Sequence, residues 1–419
     1  MTNDANDAND ANDAITAITA NAQPALPLVI LGTGLAGYTL AREFRKLDSA
    51  TPLVIVTRDG GESYSKPMLS NALAGNKAPA ALAIASAQQM AAQLNARVMT
   101  HADASAIDTA TGTVLVDGQP LRYGQLVLAL GAQARAPGLQ GDGADAVQTV
   151  NDLADYTRFH ASLQGKRRVA ILGAGLIGCE FANDLHAGGF DVELVDPAAW
   201  PLGRLLPGEA GALMAGALRG LGVRLHLGEM PVAVHRRDGA LAVQLASGAQ
   251  IAADVVLSAT GLLPRVALAQ DGGIATARGI VVDRLLRTSA PSVYALGDCA
   301  EVDGLVLPYV MPLMQAARAL ARTLAGTPTP LSYSAMPVVV KTPVLPAVVS
   351  PALAGAGNWE IESQAVAGEA GAGLRALFRD TQGALTGFAL LGKAVAEKGA
   401  LAKQIGDWLP VQAAPAAPA

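Results

Sequence analysis

The sequence predicts an α/β protein made of two parallel-sheet units and a smaller α+β C-terminal domain, and three observations predict it. Residues 26–37, LPLVILGTGLAG, run from an apolar β-type stretch into Gly32, Gly34 and Gly37. RVAILGAGLIGCE at 168–180 repeats the device with Gly173, Gly175 and Gly178. From Ala335 onward, short strand signals gather around a turn at 380–383. In G-x-G-x-x-G the first glycine permits a tight turn, the second lets backbone touch a pyrophosphate, and the third lets the helix pack close to its strand. The helix then offers free N–H groups and the positive end of its dipole to an anion. Two such cradles imply two dinucleotides, and hence two Rossmann-like dinucleotide-binding domains.

Composition bounds what else the chain can be. With 419 residues, 51% hydrophobic and 16% charged, it can bury more than one core. No apolar run reaches the roughly 18 residues of a membrane-spanning helix. Formal charge is −5, but Asp4, Asp7, Asp10 and Asp13 all lie in the first stretch, so the rest is near neutral and gives no case for nucleic acid. Two cysteines, Cys179 and Cys299, argue for a reducing compartment, and no Lys or Arg precedes Arg42, so a cytoplasmic location is expected. The histidines are scattered without ligand spacing, and no metal is expected.

Taken in order, residues 1–25 hold four NDA triplets and read as a disordered tail. A helix over about Tyr38–Leu47 and a strand at Leu53–Thr57 follow the first cradle. An acid normally holds the ribose about 20 residues past the glycines; here Thr57 and Arg58 stand at the strand end and Asp59 follows. In SYSKPMLS, Lys66 precedes the stiff Pro67, which suits a cation held beside a cofactor. Asp117-Gly118 and Asp238-Gly239 mark hairpins. Pro137–Asp145 reads as a linker and Asn151–Leu163 as a helix. The strand Asp191–Asp196 ends in an acid that would accept from both ribose hydroxyls and repel a 2′-phosphate, so NADH is expected over NADPH. A later strand ends in Gly297-Asp298, where a carboxylate can bind the hydroxyls of a sugar-like chain. Residues 311–326 carry helix signals, Pro312 at the start and Gly326 at the stop. A helix is expected near Ala394–Ile405, and a flexible Ala/Pro tail after Gln412.

With these motifs in place, the chain resembles the FAD-dependent pyridine-nucleotide oxidoreductases. Within them it is most similar to bacterial enzymes that pass electrons from NADH to rubredoxin, a small acidic iron protein, and so feed alkane hydroxylases. The likeness runs through LVILGTGLAGY, AREFRKLD, SYSKPMLS, LGAGLIGCEFANDL, RGIVVDRLLRTS, YALGDCAEVDGL, YVMPLM and VVVKTP. It implies an FAD domain at 26–137 and 272–334, an NAD domain at 138–271, a C-terminal interface domain at 335–411 and a flexible end at 412–419. Non-covalent FAD would lie with its pyrophosphate on Gly32, Gly34, Leu35, Ala36 and Gly37, and with its adenosine end near Thr57, Arg58 and Val98. Asp298 would take the ribityl chain, and Lys66, Glu180, Val310 and Lys341 would surround the isoalloxazine. NADH would use Gly173, Gly175, Leu176, Ile177, Gly178, Asp196 and Gly261. Lys66 and Glu180 are the expected catalytic residues, paired so as to orient nicotinamide over the flavin. Two departures stand out: Thr57 and Arg58 replace the usual ribose acid, and Leu130 interrupts the Ala-Thr-Gly form often found at the first domain crossing.

Three other readings stay in view. A disulfide or peroxide reductase needs a redox cysteine beside the flavin, and none precedes Cys179. A [2Fe–2S] ferredoxin reductase usually carries Arg-Pro where this chain has Lys66-Pro67. A redox-sensing binding module would turn over NADH slowly with every iron protein. Lys393, Lys398 and Lys403 recur at five-residue intervals, either as a solvated helix face or as a docking patch for an acidic partner.

Overall fold

The computed structural model describes residues 25–75, 77–352, 355–363 and 373–410. The NDA tract and the Ala/Pro tail after Gln412 lie outside the described residues.

The first cradle is built as its spacing demands. Strand β1 (Leu28–Leu31) is wholly buried, and helix α1 begins at Leu35 and runs to Arg45. It starts three residues earlier than the sequence suggested, because the glycine turn itself supplies the N-cap. Strands β2 (Leu53–Val56), β3 (Arg97–Met99) and β4 (Gln125–Leu128) follow, and the chain leaves through β5 (Ala132–Ala134). Asp117 and Gly118 both have positive φ, 49° and 73°, as does the pair Asp238 and Gly239, so both Asp-Gly turns make the hairpins they announce.

In the second unit come α2 (Leu153–Ser162), β6 (Arg168–Leu172), α3 (Leu176–Ala187), β7 (Asp191–Asp196) and β8 (Arg224–Leu227). Strand β9 (Val255–Ser258) leads to β10 (Leu262–Pro264), and the chain returns to the first unit with β11 (Val293–Ala295). The first sheet has the order β11-β4-β1-β2-β3, and the second has Gln148–Thr149 followed by β9-β6-β7-β8. Every pairing in both is parallel, as near-continuous apolar strands covered on both faces require. The two units are joined by a two-stranded antiparallel ribbon of β5 and β10.

Helix α4 (Val310–Leu324) starts two residues ahead of Pro312 and stops before Gly326, whose φ is +92°. The C-terminal unit is an antiparallel sheet of β12 (Val338–Val340), β13 (Ala347–Ser350), β14 (Gly357–Ser363), β15 (Gly373–Asp380) and β16 (Leu385–Gly392), in the order β12-β13-β16-β15-β14. The single helix expected over Ala394–Ile405 is instead a 3₁₀ turn, Lys393–Glu397, followed by the short helix Lys398–Ala402. The β-branched Val395, in the 3₁₀ turn, is a poor helix former in so short a stretch. One apolar core joins the sheet's Val340, Ala347 and Leu391 to Phe159 and Phe181 of the second unit and Leu69 of the first, so the C-terminal unit is wedged against both others.

Candidate active site

The two cradles have nearly the same backbone. Gly32 has φ +116° and a Cβ there would lie 2.3 Å from Ala129 O; Gly173 has φ +106° and its Cβ would lie 2.6 Å from Ala259 O. A Cβ on Gly37 would sit 1.9 Å from Gly32 O, and one on Gly178 1.8 Å from Gly173 O. Gly34 and Gly175 face open space. Both are N-caps without a side-chain cap, and neither helix has an acid in its first turn, so the free N–H groups of Leu35–Ala36 and of Leu176–Ile177 await an anion. A cavity of about 100 Å³ opens beside the first of these, lined by Thr33, Gly34, Leu35, Tyr38, Arg42 and Ser63 among others. These features fit two bound pyrophosphates.

At the end of β2, Thr57 is buried and donates to Asp59 Oδ1 at 2.7 Å, and Thr33 donates to Thr57 at 3.0 Å. Asp59 also accepts from Gly61 N at 3.0 Å, so the acid missing from the strand end is folded back to it from two residues beyond. Arg58 turns away, its guanidinium 3.6 Å from Asp103 on the surface, while Val98 lies beside Ile55 in β3. At the end of β7, Asp196 accepts from Ala174 N at 2.6 Å and Ala198 N at 2.7 Å. Its carboxylate therefore braces the second cradle from the position the sequence assigned it. Leu130 does not disturb the domain crossing: Arg265 N donates to Gly131 O at 3.0 Å, and Arg135 N donates to Gly261 O at 2.9 Å. Gly261 has φ +108°, a conformation glycine adopts without strain.

Lys66 opens a 3₁₀ helix, Lys66–Asn71, and donates to Asn151 Oδ1 at 2.8 Å. Asn151 is buried and its own amide donates to Ala132 O at 2.9 Å. Burial pushes the Lys66 ammonium below its usual range, and nearby Asp298 opposes the shift. Burial likewise raises the Asp298 carboxyl, with Lys66 pulling it back. Asp298 is half-buried, and among the described residues no side chain or backbone N–H donates to its carboxylate, which leaves it open to a ligand that brings hydroxyls. Val310 begins α4 and is exposed, and that helix N-terminus has neither a side-chain cap nor an acid in its first turn.

The expected pair of Lys66 with Glu180 does not form. Glu180 is fully buried on α3 and pairs with Lys341, whose Nζ lies 2.8 Å from Oε2 and whose backbone N donates to Oε1 at 2.9 Å. Ser70 Oγ donates to the same Oε2 at 2.5 Å. The reason is positional: Lys66 stands at the start of the 3₁₀ helix, next to Asn151, whereas Ser70 near its end faces α3. Lys341 arrives from the C-terminal unit. With both oxygens of Glu180 engaged, it is Lys341, 31% exposed, that faces outward. One turn on, Asp184 accepts from Leu73 N and Ala74 N at 3.1 and 2.8 Å, and Asn183 accepts from Val344 N at 3.2 Å. Sequence reasoning missed Ser70, Asn151, Asn183 and Asp184. The only signal was an unusual run of polar residues inside a helix that follows a buried strand.

Neither thiol can serve redox chemistry here. Cys179 and Cys299 are free and fully buried. Burial pushes the Cys179 thiol far up and that of Cys299 to about 11, so neither forms a thiolate near neutral pH.

Residues 26–321 match the pyridine nucleotide-disulphide oxidoreductase family. The chain belongs to it. Residues 330–405 match the rubredoxin binding C-terminal domain, so the unit that supplies Lys341 is of that type. The rubredoxin-NAD(+) reductase of Alcanivorax borkumensis is 50% identical over 386 residues, covering 92% of this chain and 100% of that protein. That of Acinetobacter baylyi is 44% identical over 396 residues, covering 92% and 99%. Among solved structures, a ferredoxin reductase from Rhodopseudomonas palustris superposes with a TM-score of 0.81 at 24% identity, over 91% of this chain and 95% of that one. It shares the fold. FAD and NADH are the cofactor and co-substrate of this family. Among the described residues no helix is long and apolar enough to cross a membrane.

Proposed function

We propose that this chain carries electrons from NADH through bound FAD to rubredoxin. One observation supports it above the rest: Lys341, from the rubredoxin-binding type of domain, is held by Glu180 of the second cradle's helix and Ser70 of the first unit. The unit expected to meet the protein acceptor thus meets both nucleotide units at one point. FAD suits the task because it accepts two electrons as a hydride and releases them one at a time.

The residues do the rest. Gly32, Gly34, Leu35, Ala36 and Gly37 hold the FAD pyrophosphate, the Thr57–Asp59 relay and Val98 border its adenosine end, and Asp298 binds the ribityl hydroxyls. Lys66 and Lys341 set positive charge at the isoalloxazine, and the N-terminus of α4, beginning at Val310, adds the end of its dipole. Gly173, Gly175 and Gly178 hold the NADH pyrophosphate, Asp196 its ribose, and Gly261 leaves room beside it. Glu180 works through Lys341 rather than on the nicotinamide. The FAD domain takes 26–137 and 272–334, the NAD domain 138–271 and the acceptor domain 335–411. Buried unpaired thiols suit the cytoplasm, and the family resemblance of the sequence motifs points to an alkane hydroxylase system as the final recipient.

Anaerobic mixing tests this. NADH should bleach the yellow protein, and rubredoxin should restore the colour faster than a [2Fe–2S] ferredoxin at equal concentration. Faster recovery with ferredoxin would overturn the acceptor. Lys393, Lys398 and Lys403 are exposed, and replacing all three with Gln should raise the KM for rubredoxin about tenfold at low salt, leaving NADH-driven bleaching unchanged.

A further inference from the structure

We propose that Ser70 is a positioning residue of the reaction: its hydroxyl fixes Lys341 at the flavin edge by joining that ammonium to Glu180. The inference rests on the site reading above.

A hydroxyl has one proton to donate and two lone pairs to accept. Ser70 uses all three. It donates to Glu180 Oε2 at 2.5 Å, accepts from Lys341 Nζ at 3.1 Å and accepts from Asn71 Nδ2 at 3.2 Å. It is buried, 3% exposed. Lys341 Nζ also donates to Pro67 O, four residues from the Asp184-held backbone that begins at Leu73 is Ser70's neighbour Leu69, and Asp184 thereby fixes the far end of the same segment. The charged groups facing this point are Lys341 from the C-terminal unit and Glu180 and Asp184 from α3; the 3₁₀ helix presents the neutral Ser70 and carries Lys66 at its other end.

No other neutral side chain of this size completes the circuit. Alanine removes one donor from a buried carboxylate and one acceptor from the lysine, so the ammonium gains freedom and the charge beside the flavin is no longer fixed. Threonine keeps the hydroxyl. Cysteine keeps the volume with a weak donor.

The test uses the full-length, FAD-loaded protein. In Ser70→Ala the limiting rate of flavin reduction by NADH should fall about tenfold, the Kd for NADH should stay within about twofold, and the flavin midpoint potential should move negative. Ser70→Thr should restore rate and potential, and Ser70→Cys should fall between, serving also if the alanine variant does not fold. A role in packing alone would lower the Tm and leave the potential in place. Wild-type rate and potential in Ser70→Ala, or a threonine variant that behaves like alanine, overturns the inference. Lys341→Met separates the two levels: if it slows reduction while Ser70→Ala does not, only the Ser70 role is lost. If Lys341→Met changes nothing, the site reading falls, and this inference with it.

Discussion

The two glycine cradles differ less in their backbones than in what their helices do next. Helix α1 buries Tyr38, Leu40, Ala41 and Phe44 in its own unit's core. Helix α3 buries Glu180, Asn183 and Asp184, and each of these takes a backbone or side-chain donor from another unit. The first cradle is thus a finished site within one domain, whereas the second is also the clamp that assembles all three. The same local motif can serve binding alone or binding and architecture, and the buried polar residues of the following helix decide which.

The strongest test of that contrast is to apply the same clash twice. A Cβ at Gly37 or Gly178 would lie under 2 Å from the carbonyl of the first glycine, 1.9 and 1.8 Å respectively. Gly37→Ala should yield colourless protein that does not retain FAD. Gly178→Ala should stay yellow while its Kd for NADH rises about 100-fold, since forced overpacking of this kind costs about 1–3 kcal/mol. Equal loss of FAD in both would break the comparison.

Next in size is the clamp. Asp184→Ala removes the charged acceptor of two backbone bonds, from the half-buried Leu73 and the exposed Ala74, which costs about 1–3 kcal/mol, and should lower Tm and limiting reduction rate together. Burial holds the Asp184 carboxyl above its usual range. The folded state therefore binds that proton more tightly than the unfolded chain, and the group's contribution is greatest at low pH and declines as pH rises through the folded pKa. Asp184→Asn should remove that part of the slope in a Tm titration above about pH 4.

Smaller is the coenzyme effect. Asp196→Ala should lower kcat/KM for NADH about tenfold and narrow its advantage over NADPH, because a charged acceptor at the ribose is lost. An unchanged ratio would show that Asp196 only braces Ala174.

The smallest effect belongs to the sheet beneath the second cradle, where the Arg168 side chain holds the Asp254 carboxyl well below its usual range. Stability from this group is present above the unfolded pKa of about 4 and is lost as pH falls below it. Asp254→Asn should flatten the acid limb of the Tm profile with FAD retention unchanged.

How much was legible follows the reach of each cause. Gly32, Gly34 and Gly37 are legible because turn, anion approach and helix packing are all settled within six residues of chain. Asp191–Asp196 and both Asp-Gly hairpins are legible for the same reason: alternation and positive φ are local demands. The helix expected at Ala394–Ile405 forms only over Lys398–Ala402, after a 3₁₀ turn that holds the β-branched Val395. The Lys66–Glu180 pair failed for another reason. Glu180's actual partners are 110 and 161 residues away, and no pattern in the intervening chain says which lysine the folded domains will bring to it.

By itself, then, the sequence determined two nucleotide cradles, their parallel sheets and the absence of a reactive thiol, since backbone conformation and residue identity need no distant neighbour. Tertiary structure decided that Asp59 returns to the end of β2, that Asn151 takes Lys66, and that Lys341 and Ser70 close on Glu180. A buried charge takes whichever partner packing brings within hydrogen-bond reach, and that is settled only when three domains share one core.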